Sequence, residues 1–395
     1  MRLTAFPRAF LRNPAAGFFL SGCFLVAAHP ALAGPISITP LGLPITPPPY
    51  ASVYSFATAV NNSGQVAGYT YENLPRQPFV SPFLYSGGVI TNILGTLDPL
   101  AAQANGINNQ GQIVGNDFAA FLISGGQTVY LDNVAAPPAG YYMATALAIN
   151  DAGEIVGSLD QDPCPGPGPC QQHAYLYANG AVTDLSTLSG TLTPQVATAI
   201  NNAGEVVGNG YDSAGNDAAF LYSNGTIIEL GSLSSALPYS QAQGINNSGE
   251  IVGWSDDLGE TDEPFLDDNG TFTDLGNLGG PANAYAINDL GQIVGTSSLS
   301  PSCGVTDADC TLDAFLYENG AMLDLNTLLP PDSGWQLTGA LAINDEGQIA
   351  GYGQYNGETL GFLLDLGTPT PEPASAILLA LGLALGLCRL KSRSR

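Results

Sequence analysis

Ile200-Asn201-Asn202-Ala203-Gly204-Glu205-Val206-Val207-Gly208 decides the fold, because the chain writes it seven times. The copies are Val60–Gly68, Ile107–Gly115, Ile149–Gly157, Ile200–Gly208, Ile245–Gly253, Ile287–Gly295 and Ile343–Gly351. Each reads aliphatic, Asn, Asn or Asp, any residue, Gly, Gln or Glu, two aliphatics, Gly. Their starts lie 47, 42, 51, 45, 42 and 56 residues apart. A unit recurring at such spacing is one supersecondary element repeated, each copy covering the apolar face of the next.

The surroundings of the fourth copy show what the element is. Gln195–Ile200 is a short run of small and aliphatic residues, and Asn201-Asn202-Ala203-Gly204 is a turn whose Gly suits a left-handed bulge position. Glu205–Gly208 reads as extended, Ala218–Tyr222 as a further strand, and Asn224-Gly225 as a tight hairpin turn before Thr226–Leu230. Two tandem hairpins predict a four-stranded antiparallel meander. The other copies repeat it, with third strands at Pro82–Tyr85, Ala120–Ile123, Ala174–Tyr177, Pro264–Asp267 and Ala314–Tyr317. No copy carries a ten-residue helical period, so the class is all-β.

The seventh copy reaches a third strand, Gly361–Leu364, and then runs into Gly367-Thr368-Pro369 without a fourth. Ile36-Ser37-Ile38-Thr39-Pro40-Leu41-Gly42 has the pattern of the missing strand. An N-terminal strand that completes the last sheet removes exposed edges, whereas an open solenoid would need caps. The expectation is therefore a seven-bladed β-propeller over residues 34–368. Its first strands crowd the axis and are rich in Ala and Gly; Tyr285 is the exception.

The ends read as addresses. Residues 1–33 combine Arg2, Arg8 and Arg12, an apolar stretch and Ala31-Leu32-Ala33, the grammar of a signal peptide. Residues 369–395 hold Pro371-Glu372-Pro373, an apolar run from Ala374 to Cys388, and four basic residues. Fifteen helical residues rise about 22 Å against a hydrocarbon core of about 30 Å, which makes this a short membrane tether.

Between Glu72 and Glu372 stand all 34 acids and a single cation, Arg76. Such a surface repels nucleic acid and anionic lipid. Cys164 with Cys170, and Cys303 with Cys310, form two close pairs that read as local disulfides in an exported protein.

The Asn-Asn/Asp-x-Gly-Gln/Glu motif, His173-Ala174-Tyr175-Leu176-Tyr177, and Asp274-Leu275-Gly276-Asn277-Leu278-Gly279-Gly280 together resemble the HAF family of extracellular repeats, from about Ile36 to Gly367. The histidine of that name survives only at His173. The tail, with Pro371-Glu372-Pro373, a short apolar helix and basic residues in order, resembles the PEP-CTERM sorting signal. That resemblance implies recognition and processing by exosortase, in bacteria that make exopolysaccharide.

In a meandering blade, one face of the ring carries the stereotyped turns and the other carries the loops that vary. The variable face holds Ser158–Gln172, Thr296–Asp313, Ser255–Glu263 and Leu329–Gly334, and binding residues concentrate on such loops. Calcium is the one ion the acidic loops suggest: Asp256, Asp257, Glu260, Asp262 and Glu263 lie close together, and Asp307 and Asp309 sit between two cysteines. None follows the spacing of a known calcium loop. Catalysis by paired carboxylates needs acids on the inner strands, and those strands contain none. The sequence thus points to a non-enzymatic surface or matrix protein that requires no cofactor. A calcium-assisted, lectin-like glycan binder and a carboxylate glycosidase or lyase stand as alternatives.

Overall fold

The computed structural model describes residues 36–42, 52–74, 77–163, 170–188, 190, 192–234, 239–256, 262–302, 305 and 310–367. The signal-peptide and sorting-tail expectations lie outside these residues. No helix among the described residues is long and apolar enough to cross a membrane.

A short strand, β1 (Ser37–Leu41), precedes blade 1, which consists of β2 (Ser52–Val60), β3 (Val66–Asn73), β4 (Phe79–Ser86) and β5 (Val89–Asn92). Blade 2 is β6 (Gln103–Ile107), β7 (Ile113–Asn116), β8 (Ala120–Ser124) and β9 (Gln127–Tyr130). Blade 3 is β10 (Tyr141–Ile149), β11 (Ile155–Gln161), β12 (Gln172–Ala178) and β13 (Ala181–Asp184). Blade 4 is β14 (Thr193–Ile200), β15 (Val206–Tyr211), β16 (Asp217–Ser223) and β17 (Thr226–Glu229). Blade 5 is β18 (Ser240–Ile245), β19 (Ile251–Asp256), β20 (Asp262–Asp268) and β21 (Thr271–Asp274). Blade 6 is β22 (Ala282–Ile287), β23 (Ile293–Ser298), β24 (Leu312–Glu318) and β25 (Ala321–Asp324). Blade 7 is β26 (Trp335–Ile343), β27 (Gln348–Tyr355) and β28 (Glu358–Asp365), with β1 as its outer strand.

Each blade is a four-stranded antiparallel sheet, and the molecule is a seven-bladed β-propeller. The first strand of every blade touches the first strands of both neighbouring blades, β26 and β2 included, so these strands surround the axis. β1 pairs antiparallel with β28, Thr39 opposite Leu363. The Asn-Gly turns behave as their chemistry dictates. Asn179, Asn224, Asn269 and Asn319 have φ of 52–53°, and the glycines that follow are also left-handed, which is the turn whose twist matches paired strands.

One packing rule, repeated seven times, explains the second half of the motif. Three residues before the end of each inner strand stands an alanine: Ala57, Ala104, Ala146, Ala197, Ala242, Ala284 and Ala340, all fully buried. Opposite each is the last glycine of the motif, for example Ala197 opposite Gly208. Opposite that glycine on the third strand is a fully buried aromatic: Phe83, Phe121, Tyr175, Phe220, Phe265, Phe315 or Phe362. A Cβ on Gly208 would collide with the Val196 carbonyl and come within 2.9 Å of Phe220 Cε1. The glycine is there because the inner strand's carbonyl and, in five of the seven blades, the aromatic ring leave no room for a Cβ.

The inner strands also bulge, which the sequence pattern did not suggest. Register skips a residue at the same place in each, leaving Thr58, Asn105, Leu147, Thr198, Gln243, Tyr285 and Leu341 unpaired, and β10, β14 and β26 skip a second, Ala144, Gln195 and Thr338. A bulge bends and twists its strand. Here it falls where seven strand ends converge on the axis.

Candidate functional site

The stereotyped face of the ring carries the polar half of the motif. The first Asn of each copy is 3–4 % exposed. In blade 4, Asn201 Oδ1 accepts from the backbone N–H groups of Ala203 and Glu205, both at 3.0 Å. Its Nδ2 donates to Glu205 Oε2 at 2.9 Å and across to the Asn246 carbonyl of blade 5 at 3.1 Å. The inter-blade bond recurs at all seven junctions with lengths of 2.8–3.1 Å, ending with Asn344 Nδ2 donating to the Asn61 carbonyl.

A second ring lies beside the first. The backbone N–H of each second motif residue donates to the side-chain Oδ1 of its counterpart in the following blade, from Asn62 to Asn109 through to Asp345 back to Asn62, at 2.8–3.1 Å. These two rings explain the allowed residues. The first position must donate twice and accept twice, which the Asn amide does and a hydroxyl with its single proton does not. The second needs an acceptor, so Asn and Asp both serve. The Gln or Glu position receives the Asn Nδ2 and likewise needs only an oxygen.

Together the rings form a collar around the axial opening and enclose a polar recess of about 170 Å³. Its three acids, Asp151, Asp289 and Asp345, are held by amides rather than cations. Asp151 Oδ2 accepts from Asn109 Nδ2 at 2.9 Å and Asn202 Nδ2 at 3.0 Å. Burial pushes the Asp151 carboxyl up, but the Asn109 and Asn202 donors more than offset this and leave it below the usual carboxylate range.

On the variable face, the expected calcium residues separate into two groups. Asp257, Glu260, Asp307 and Asp309 lie outside the described residues. Asp256 and Asp262 stand opposite each other at the ends of β19 and β20. Burial, then the charge of Asp256 and a hydrogen bond to it, push the Asp262 carboxyl up. The pair therefore favours holding a proton between its members. Glu263 turns away and accepts from Asn277 Nδ2 at 3.2 Å. Among the described residues, no three or more His, Cys, Asp or Glu side chains are grouped so as to hold a metal.

Cys170 and Cys310 are disulfide-bonded; Cys164 and Cys303 lie outside the described residues. Beside Cys170, His173 Nδ1 lies 2.8 Å from Asp184 Oδ2 and its Nε2 lies 3.2 Å from the Tyr141 hydroxyl, with the Tyr141 and His173 rings stacked at 4.5 Å. His173 thus ties the start of β12 to β13 on one side and, past β11, to β10 on the other. Asp184, Asp274 and Asp324 each accept a backbone N–H two residues on, at 2.9, 2.7 and 2.8 Å, and so shape the turns that leave their strands.

No family model matches the chain. No curated protein matches it either. The chain is similar to several solved structures. The β-propeller domain of the Trilobed protease from Pyrococcus furiosus aligns at 9 % identity, covering 80 % of this chain and 93 % of that one, with a TM-score of 0.49. A puromycin-hydrolyzing peptidase of Mycobacterium tuberculosis aligns at 13 % identity over 82 % of this chain, with a TM-score of 0.49; the match spans about half of the peptidase (54 %). Trypanosoma rangeli sialidase aligns at 10 % identity over 79 % of this chain and 54 % of its own, with a TM-score of 0.39.

Proposed function

We propose that this chain is a non-enzymatic, exported repeat protein of the cell surface or extracellular matrix, associated with exopolysaccharide and sorted by exosortase through residues 369–395. The observation that carries the non-enzymatic reading is the collar. The polar residues repeated in every copy are committed to hydrogen bonds within and between blades, so the repeat serves architecture. Side chains that differ from blade to blade are left for recognition. An acidic body with Arg76 as its one cation between Glu72 and Glu372 favours partners that are neutral or cationic.

The test is delivery. In a Gram-negative host that carries an exosortase and makes exopolysaccharide, the full chain is expected in the surface or matrix fraction, and a chain lacking 369–395 is expected to lose that location. Cytoplasmic retention of the full chain would contradict the proposal.

A calcium-assisted reading draws on Asp256 and Asp262, which face each other at the mouth of the acidic loop. It predicts a higher melting temperature in calcium than in chelator. Equal melting in both removes calcium from the account.

A further inference from the structure

On the variable face, blade 2 turns from β7 to β8 through Asp117-Phe118-Ala119. Phe118 takes a φ of 100° there, and among the described residues every other one with a positive φ is Gly or Asn. A bulky side chain in that region is a steric outlier, because its Cβ crowds the backbone; glycine would make the same turn without strain. Burial does not compensate, since Phe118 is 64 % exposed. A strained backbone and an aromatic face left in water thus fall on one residue. Strain of this kind persists where the surroundings enforce it, and it gathers at ligand clamps.

What enforces it is one buried carboxylate. Asp117, 2 % exposed, accepts with Oδ2 from the Asp98 N–H at 2.7 Å and from the Tyr130 hydroxyl at 2.6 Å. It thereby gathers three segments: the connection from β5 to β6, which carries Leu100, its own turn, and the end of β9. From β9 a single 3-10 turn, Leu131–Asn133, leads to Val134. The Leu100 N–H donates to Asp98 Oδ1 at 2.8 Å, and the Val134 N–H donates to the Leu131 carbonyl at 3.0 Å, so both residues are held in place. Leu100, Phe118 and Val134 are all exposed. Residues 133–140, which include Pro137 and Pro138, extend this apolar surface and contain no charge.

The rim is acidic. Asp98 and Asp132 stand two residues before Leu100 and Val134, and the Asp162 N–H donates to the Gly140 carbonyl at 2.9 Å, which places Asp162 at the far end of the same loop. No Lys or Arg stands among the described residues to neutralise them. An exposed apolar patch with a polar rim marks an interaction surface, and aromatic residues with few charges characterise interface centres. Leu100, Phe118, Val134, Pro137 and Pro138 offer no side-chain donor or acceptor, which the hydroxyls of a glycan would need. A second copy of this chain would bring more acids to a surface that lacks cations. We propose that the patch around Phe118 docks a different protein, through a segment that presents apolar side chains beside Lys or Arg. Its apolar side chains cover Phe118, and its cations meet the rim of Asp98, Asp132 and Asp162.

This docking surface goes beyond the matrix reading and does not rest on it. Phe118→Gly in purified full chain tests both halves of the argument. Glycine relaxes the turn, so the urea midpoint is expected to rise; a lower or unchanged midpoint would mean that the fold does not hold Phe118 under strain. Binding is read by calorimetric titration in about 0.15 M salt, which screens distant charges. The probes are an amphipathic helical peptide of Leu and Lys, its Leu-Glu counterpart, a Ser-Lys peptide of equal charge, and chitosan hexamer. The Leu-Lys peptide is expected to bind, and the other three at least roughly tenfold more weakly. Phe118→Gly, and separately Leu100→Ser with Val134→Ser, are each expected to weaken the Leu-Lys peptide roughly tenfold, as loss of an apolar anchor does. The proposal is overturned if the Leu-Lys peptide does not bind, if the Leu-Glu or Ser-Lys peptide binds as well, if chitosan hexamer binds as tightly, or if either variant binds unchanged.

Discussion

Substituting adjacent residues of one collar unit, Asn201→Asp and Asn202→Asp, separates the two rings. Both changes are nearly isosteric and add one carboxyl. At Asn201 the Oδ1 bonds to Ala203 and Glu205 survive, but the donations to Glu205 Oε2 and the Asn246 carbonyl are lost. The side chain is 4 % exposed. The change therefore removes one of two donors to the Asn246 carbonyl, which keeps the Gly249 N–H, at about 0.5–1.5 kcal/mol. It also sets a new carboxylate where the old amide lay 2.9 Å from Glu205 Oε2. A buried carboxylate with no counter-charge, set beside Glu205, brings the total to about 3–5 kcal/mol. At Asn202 the Oδ1 still accepts from the Asp151 N–H, while an exposed donation to Asp151 Oδ2 is replaced by a solvent-screened approach of two carboxylates. That costs about 0–1 kcal/mol.

Urea unfolding at pH 7, followed by circular dichroism, reads both. Lowering the pH protonates the buried carboxyl first, because its folded-state affinity for protons is raised. The Asn201→Asp deficit should then shrink toward pH 4 by more than the smaller, solvent-screened deficit of Asn202→Asp. Equal costs for the two variants, or a deficit at Asn201 independent of pH, would refute the assignment of donor and acceptor roles.

Gly208→Ala places a methyl against the Val196 carbonyl and Phe220, and should cost about 1–3 kcal/mol or more in the urea midpoint. A neutral result would mean that the glycine is not required by packing. Asp151, held below its ordinary range, contributes stability that is present above its unfolded value of about pH 4 and lost as pH falls through the folded value. Asp151→Asn should therefore flatten the acid limb of the stability curve, and an unchanged limb would count against amide neutralisation of the collar. Asp262, pushed up by burial and then by Asp256, has the opposite sign: its contribution is full below about pH 4 and fades as pH rises through the folded value. Asp262→Asn should raise the midpoint at pH 7 more than at pH 4, and equal shifts at both would contradict the shared proton.

The fold was legible because local chemistry repeats. Asn224-Gly225 and its counterparts fix hairpins within a few residues, and seven copies of Ile200–Gly208 count the blades. The small inner residues were visible too, although the pairing of Ala197, Gly208 and Phe220 emerges only when strands are placed side by side. The collar was hidden for a physical reason. Its bonds join residues 42 to 56 positions apart, and 283 apart at the last junction, so no window of sequence contains both partners. The bulges were hidden because period-2 alternation is blind to one extra residue. The packing of Phe56 against both Tyr69 and Tyr352 depends on blades 7 and 1 being neighbours. Tyr285 stood out in sequence by size alone.

Cross-linking β1 to β28 tests the closed ring most directly. Thr39 and Leu363 are opposite each other, and paired strands hold such Cα atoms about 4.5–5.5 Å apart, within the reach of a disulfide. A chain carrying Thr39→Cys and Leu363→Cys, isolated oxidised, should yield a peptide joining these two positions within one molecule. Absence of that peptide, or its appearance only in dimers, would mean that the ring is not closed by its own N-terminal strand.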